Sequence, residues 1–184
     1  MIGSNSGRPI MRRFLVLAAA VVCTTFAVTA QQKMSKPGIS NYTQVDAVVA
    51  CGGATEISAL DGLKKDGFKA VINLRTATEP GANIDENRAR AEALGLKYLH
   101  IPFNAGAPEN KTFDDFLAAI ADRSNQPVYI HCASANRVGA VWLAKRVLQD
   151  GWAADKATEE ARLVGLSAAP LEKFALQYIA AHKK

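Results

Sequence analysis

Between Tyr129 and Trp142 the chain reads YIHCASANRVGAVW. Cys132 closes an apolar run of strand character and stands just ahead of a helical pattern. A cysteine so placed has unusual electrostatics. Successive backbone N–H groups of the short polar loop can converge into a nest for an anion. The dipole of the following helix adds positive potential at the same point. Arg137 adds a planar, permanent cation. Together these favour the thiolate form of Cys132. An anionic group of a substrate would occupy the same nest. Nucleophile and anion site coincide, which suits covalent transfer of an oxyanion or of a sulfur atom. The bland alternative is that Cys132 is one small buried residue at a strand end. The combination of strand, His-Cys, polar loop, Arg and helix is more specific than a lone cysteine.

Strands and helices must alternate to hold that loop. Val45–Cys51 reads as a short strand ended by Gly52-Gly53, and Thr55–Asp66 as a helix stopped by Gly67. Phe68–Leu74 is a buried strand by composition. A helix over Ile84–Leu94, a strand over Lys97–Ile101 and a helix over Thr112–Arg123 follow. Pro127–His131 is the last strand, and Arg137–Gln149 is the helix behind the loop. Two further helices, about Ala154–Leu163 and Pro170–His182, complete the chain. This order predicts an α/β fold with a central, mainly parallel sheet of about four to five strands flanked by helices. Ligands bind such sheets at the carboxyl ends of the strands, where His131-Cys132 lies.

The 184 residues suit one globular domain. The N-terminus reads as something else. Arg12 and Arg13 precede an apolar stretch, Phe14–Ala30, and Val28-Thr29-Ala30 offers small residues for a signal peptidase. Residues 1–30 are therefore expected to be a secretory signal, 31–41 a polar linker, and 42–184 the working domain, secreted or periplasmic. The alternative is an anchor made of residues 14–30. Once the signal is cleaved, no membrane association is expected. Cleavage would remove three Arg and no acid, leaving 19 Lys+Arg against 17 Asp+Glu, a net +2. Lys and Arg form no stripe with interleaved aromatics, so nucleic acid is not an expected partner. Cys51 and Cys132 would remain, too few for a disulfide framework. The histidines His100, His131 and His182 are scattered, so neither a metal nor any other cofactor is expected.

The string HCASANRVG resembles the signature of the cysteine-dependent phosphatase superfamily. More closely, the chain resembles the DUF442 family, the phosphatase-like domain of beta-lactamase-hydrolase-like proteins. The likeness runs from about Val45 to Leu148. It includes CGGATE (Cys51–Glu56), GFKAVINLR (Gly67–Arg75), Glu79 and GLKYLHIPF (Gly95–Phe103). It implies the fold of small dual-specificity phosphatases. It also implies a nucleophile at Cys132, an anion clamp at Arg137 and a phosphate-binding loop of Ala133, Ser134, Ala135 and Asn136. Three departures stand out. Four residues, not five, separate Cys132 from Arg137, as in DUF442 domains and in sulfur-transferring rhodaneses. Val138 stands where phosphatases usually place Ser or Thr. Ala135 stands where Gly is common. The leaving oxygen of a phosphate ester also needs an acid. Asn104 holds the place where dual-specificity enzymes usually carry Asp, with Glu109, Asp114 and Asp115 nearby.

Several residues carry two readings. His131 either tunes Cys132 or is a satisfied core histidine. Arg75 helps bind an anion or, the preferred reading, forms a loop ion pair with Glu79. Cys51 is packed, or it pairs reversibly with Cys132. Trp142 and Trp152 are expected in the core. Three functions are then open. The first is a phosphatase acting on a small anionic or phosphorylated molecule, through a thiophosphate on Cys132. The second is a sulfurtransferase or persulfide-handling enzyme, which needs no acid. The third is a non-catalytic anion- or phosphoprotein-binding module.

Overall fold

The computed structural model describes residues 1–3 and 31–183. Of the expected signal over 1–30, residues 4–30 lie outside the described residues, and with them the alternative anchor over 14–30.

Short apolar runs build the sheet: β3 (Val49–Gly52), β4 (Ala70–Asn73), β5 (Lys97–His100) and β6 (Val128–His131). β3, β4 and β6 are buried at every position. A sheet covered on both faces demands such continuous apolar strands. The four are parallel, in the order β3-β6-β4-β5. Two antiparallel two-residue strands, β1 (Gln32–Lys33) and β2 (Thr43–Gln44), extend the β3 edge to make six. The expected linker over 31–41 is corrected here. That segment contributes β1, and Ile39 is buried with Tyr42 and Leu60.

The two-residue period of the strands sorts the core into two layers. Ala50, Val71 and Tyr129 face one side, beneath α1 (Ala59–Lys65) and α2 (Ile84–Ala93). Cys51, Ile72 and Ile130 face the other. That side is covered by α3 (Asn110–Ala121), α4 (Asn136–Leu148), α5 (Ala154–Val164) and α6 (Ala169–His182). A helix that is apolar all round belongs at the centre of a layer. α4 is such a helix: Val138, Val141, Trp142, Leu143 and Val147 are all buried. It packs against α3, α5 and α6. Gly139 lets α5 approach, since a Cβ there would lie 2.8 Å from the Ala161 carbonyl oxygen.

The elements expected from the sequence are all present, with ends moved by up to four residues. α1 starts at Ala59 rather than Thr55 because Thr55 is otherwise engaged. Its hydroxyl donates to the Gly53 carbonyl and lies 2.7 Å from the Tyr129 hydroxyl. Pro170 sits in the first turn of α6, where its missing N–H costs nothing.

Candidate active site

β6 lies between β3 and β4, so the backbone at its carboxyl end is held from both sides. The Cys132 N–H donates to the Gly52 carbonyl at 3.3 Å, and the Leu74 N–H donates to the His131 carbonyl at 2.9 Å. Alternation along β6 then sets the side chains. His131 turns to the α1–α2 side, where its ring stacks on Tyr129 at 5.6 Å between centroids. Cys132 turns to the α4 side and joins the core cluster there, 1% exposed.

The chain reverses over Ala133-Ser134-Ala135 and enters α4. Ala135 takes a left-handed conformation, φ 71° and ψ 0°. That conformation costs a residue with a side chain about 1–2 kcal/mol. The packing around it holds it in place: a Cβ on Gly165 would fall 2.7 Å from the Ala135 Cβ. On the other flank Gly53 lets the loop approach β3, since a Cβ there would meet the Ala133 carbonyl oxygen at 3.1 Å. The Gly52-Gly53 pair is thus part of the loop's seat. The Asn41 side chain donates to the Ser134 carbonyl at 3.3 Å. Among the described residues, no protein acceptor pairs with the N–H groups of Ala133 through Val138. Those of Asn136, Arg137 and Val138 belong to the first turn of α4, the end of a helix that attracts anions.

Arg137 is held rigidly. Its Nη1 donates to Glu79 Oε1 at 2.5 Å and to the Phe103 carbonyl at 2.9 Å, and its Nη2 donates to Glu79 Oε2 at 2.7 Å. Burial lowers the guanidinium pKa, but the Glu79 carboxylate, by hydrogen bond and charge, and the nearby Cys132 together raise it above the ordinary value. The same pair holds the Glu79 carboxyl down at about 2. The hydrogen bond to Arg137 is the main cause; burial opposes it, and the Thr76 N–H assists. The expected Arg75–Glu79 ion pair also forms, beside the tighter one to Arg137. Arg75 keeps only a 3.4 Å contact to Glu79 and spends its other donors on the carbonyls of Pro80 and Gly81.

A cleft of about 450 Å³ opens beside the loop. Arg137, Glu79, Thr76 and Ser134 line it, with Asn104 on one rim and Pro170-Leu171 of α6 opposite. Asn136 also faces it, but its side chain is committed. It donates to the Ser167 hydroxyl and accepts from the Ser167 and Ala168 N–H groups. Asn136 thereby ties the start of α6 to the loop. Asn104 uses its side-chain oxygen to accept the Gly106 N–H at 3.0 Å, closing a turn. Of the other acid candidates, Asp114 accepts from the Tyr178 hydroxyl at 2.5 Å and Asp115 pairs with Lys111 at 2.6 Å. Glu109 is exposed at the start of α3. Arg75 lines a separate depression of about 880 Å³ with Glu56 and Asn83. A third, of about 750 Å³, lies between α5 and α6, away from the cysteine.

His131 is pushed down to about 3, by burial first and by the Arg75 charge second. Its Nδ1 has no hydrogen-bond partner among the described residues. It is a neutral core histidine on the face opposite the Cys132 side chain. Cys51 and Cys132 are both buried, free thiols. Burial, with Asp46 and Glu160 nearby, pushes the Cys51 thiol up. Trp142 is in the core as expected, its indole N–H donating to Glu160 at 2.8 Å. Trp152 is half-buried under the Arg146 guanidinium.

A parallel sheet carrying a Cys-loop-Arg turn at the carboxyl end of its central strand is the architecture of the cysteine-dependent phosphatases. The chain belongs to the family described as DSP-PTPase phosphatase fused to NAD+ kinase, whose profile matches residues 20–175. A DUF442 phosphatase from Shewanella putrefaciens CN-32 superposes with a TM-score of 0.67 at 20% identity, covering 80% of this chain and 94% of that one. The core catalytic domain of the PP-IP phosphatase SIW14 from S. cerevisiae gives 0.65 at 19%, covering 78% and 88%. TpbA from P. aeruginosa gives 0.63 at 18%, covering 84% and 91%. At these identities the likeness is one of fold. No curated protein matches the chain.

Proposed function

We propose that the protein is a cysteine-dependent phosphatase that hydrolyses phosphomonoesters through a phosphorylated Cys132. The observation that carries this reading is the placing of Arg137. Its guanidinium is pinned by Glu79 and Phe103 at the end of the Cys132 loop and forms part of the cleft wall. A phosphoryl group in the cleft would meet Arg137 and the unpartnered loop N–H groups through its non-bridging oxygens. Its phosphorus would then face the sulfur. Fixed donors around developing charge are the main source of catalysis in such transfers. Cys132 displaces the leaving oxygen, and water then displaces the sulfur to release phosphate. The four-residue loop and the engaged carboxylates favour a second reading, sulfur transfer, which needs no acid.

One assay separates them. The protein is given an aryl phosphate and, in parallel, thiosulfate with a thiol acceptor. Cys132-dependent phosphate release supports the phosphatase. Cys132-dependent sulfur transfer without phosphate release supports the alternative. Full activity in Cys132→Ser contradicts both. We also place the mature protein outside the cytoplasm, beginning at Gln31, because of the order of charge and apolar residues over 12–30. N-terminal sequencing of the exported protein tests that start.

A further inference from the structure

Breaking the phosphorus–oxygen bond leaves an electron pair on the departing oxygen. An alkoxide needs a proton as it forms, whereas a carboxylate does not. Which groups can give a proton here is therefore a statement about substrate.

Among the described residues every acidic group near the loop is committed but Glu109, which is exposed at the start of α3 and does not line the cleft. Glu79 is the one carboxylate among the described residues that lines the cleft. Both its oxygens are held by Arg137, and Oε1 also accepts from the Thr76 N–H at 2.7 Å and hydroxyl at 3.1 Å. It stays ionised down to about pH 2, the Arg137 hydrogen bond being the main cause. Asn104, which follows β5 where an acid is expected, has an amide that is not acidic. Asp114 is tied to Tyr178 and Asp115 to Lys111. His131 lies on the opposite face of the sheet. Residues 4–30 and 184 contain no Asp, Glu, His or Tyr that could complete the set.

From this placement we propose that the site takes phosphate only from oxygens that leave as stabilised anions, acyl phosphates first and aryl phosphates next. It passes over phosphate esters of aliphatic alcohols. The proposal rests on the phosphatase reading above and narrows it to a class of substrate. In the first step the Cys132 sulfur bonds to phosphorus. The bond to the leaving oxygen breaks, and its electron pair departs on the carboxylate or aryloxide with no proton from the protein. In the second step a water oxygen bonds to phosphorus and the sulfur–phosphorus bond breaks. The electron pair returns to sulfur, and the proton passes to solvent.

The test measures kcat/KM, which reports the first transfer, for acetyl phosphate, a series of substituted phenyl phosphates and glycerol 2-phosphate. The rate seen with Cys132→Ser is subtracted. Along the phenyl series kcat/KM is expected to fall steadily as the leaving phenol becomes less acidic. Glycerol 2-phosphate is expected to be slower than acetyl phosphate by about 10²–10⁴-fold, the usual contribution of a general acid. Glu109→Gln is expected to leave that slope unchanged. A flat series, or a slope that steepens in Glu109→Gln, would show a working acid and overturn the proposal while leaving the phosphatase. No Cys132-dependent release from any member would defeat the phosphatase reading, and this proposal with it.

Discussion

Two side chains make the cleft what it is, Arg137 and Glu79. A bidentate carboxylate fixes a guanidinium in direction as well as place. The effect of Glu79→Gln should therefore appear in substrate capture as well as in stability. We expect kcat/KM to fall about 10²-fold, the cost of a misplaced clamp, with the circular dichroism spectrum unchanged. Arg137→Lys should do at least as much damage, since an ammonium cannot reproduce the fork. At this scale the sequence was legible where residues are neighbours. Cys132 and Arg137 share one short motif, and the turn between them places both at the same end of the sheet. The Arg75–Glu79 pair is local and legible, whereas the carboxylate's main partner, Arg137, lies 58 residues away and no local pattern reveals it. Asn136 looked like a loop donor, and its engagement by Ser167 comes from a helix whose docking no local pattern reveals.

Helices and strands position this pair, and their packing leaves little room. Gly139 and Gly165 sit where α4 meets α5 and the loop that follows it. Gly139→Ala would drive a Cβ to 2.7 Å from the Leu166 Cβ and 2.8 Å from the Ala161 carbonyl. We expect a loss of about 1–3 kcal/mol, read as a lower denaturation midpoint with an unchanged m-value. Asn136→Ala removes three hydrogen bonds between the loop and the start of α6. It should lower stability by about 1 kcal/mol, because the freed N–H groups are exposed or half-buried and can turn to water. The longer elements were legible because burial on one or both faces imposes a period on the residues. β1 and β2 were not, since two residues define no period. Nor was the packing of 31–41, which depends on Ile39 finding a place beside Leu60.

Across the whole molecule, two groups couple stability to acid. His131 has its folded pKa lowered from 6.5 to about 3. The unfolded chain therefore takes up a proton that the fold refuses, and stability falls as pH drops from about 6.5 towards 3. Glu79 is lowered from 4.5 to about 2, so its contribution is complete above 4.5 and is lost as pH falls through 2. Urea denaturation at stepped pH should show both windows. His131→Gln should flatten the upper one and Glu79→Gln the lower. The α/β class and the mainly parallel sheet were legible at this scale from the alternation of apolar runs alone.

The account depends on phosphorus becoming bonded to one sulfur. The direct measurement is rapid acid quench of the protein turning over an aryl phosphate, followed by mass spectrometry of the peptide that spans Tyr129 to Trp142. The account predicts one phosphoryl group on Cys132, gained within the first turnover and absent from Cys132→Ser. A peptide that stays unmodified while phosphate is released, or one that carries its phosphate on another residue, would contradict it.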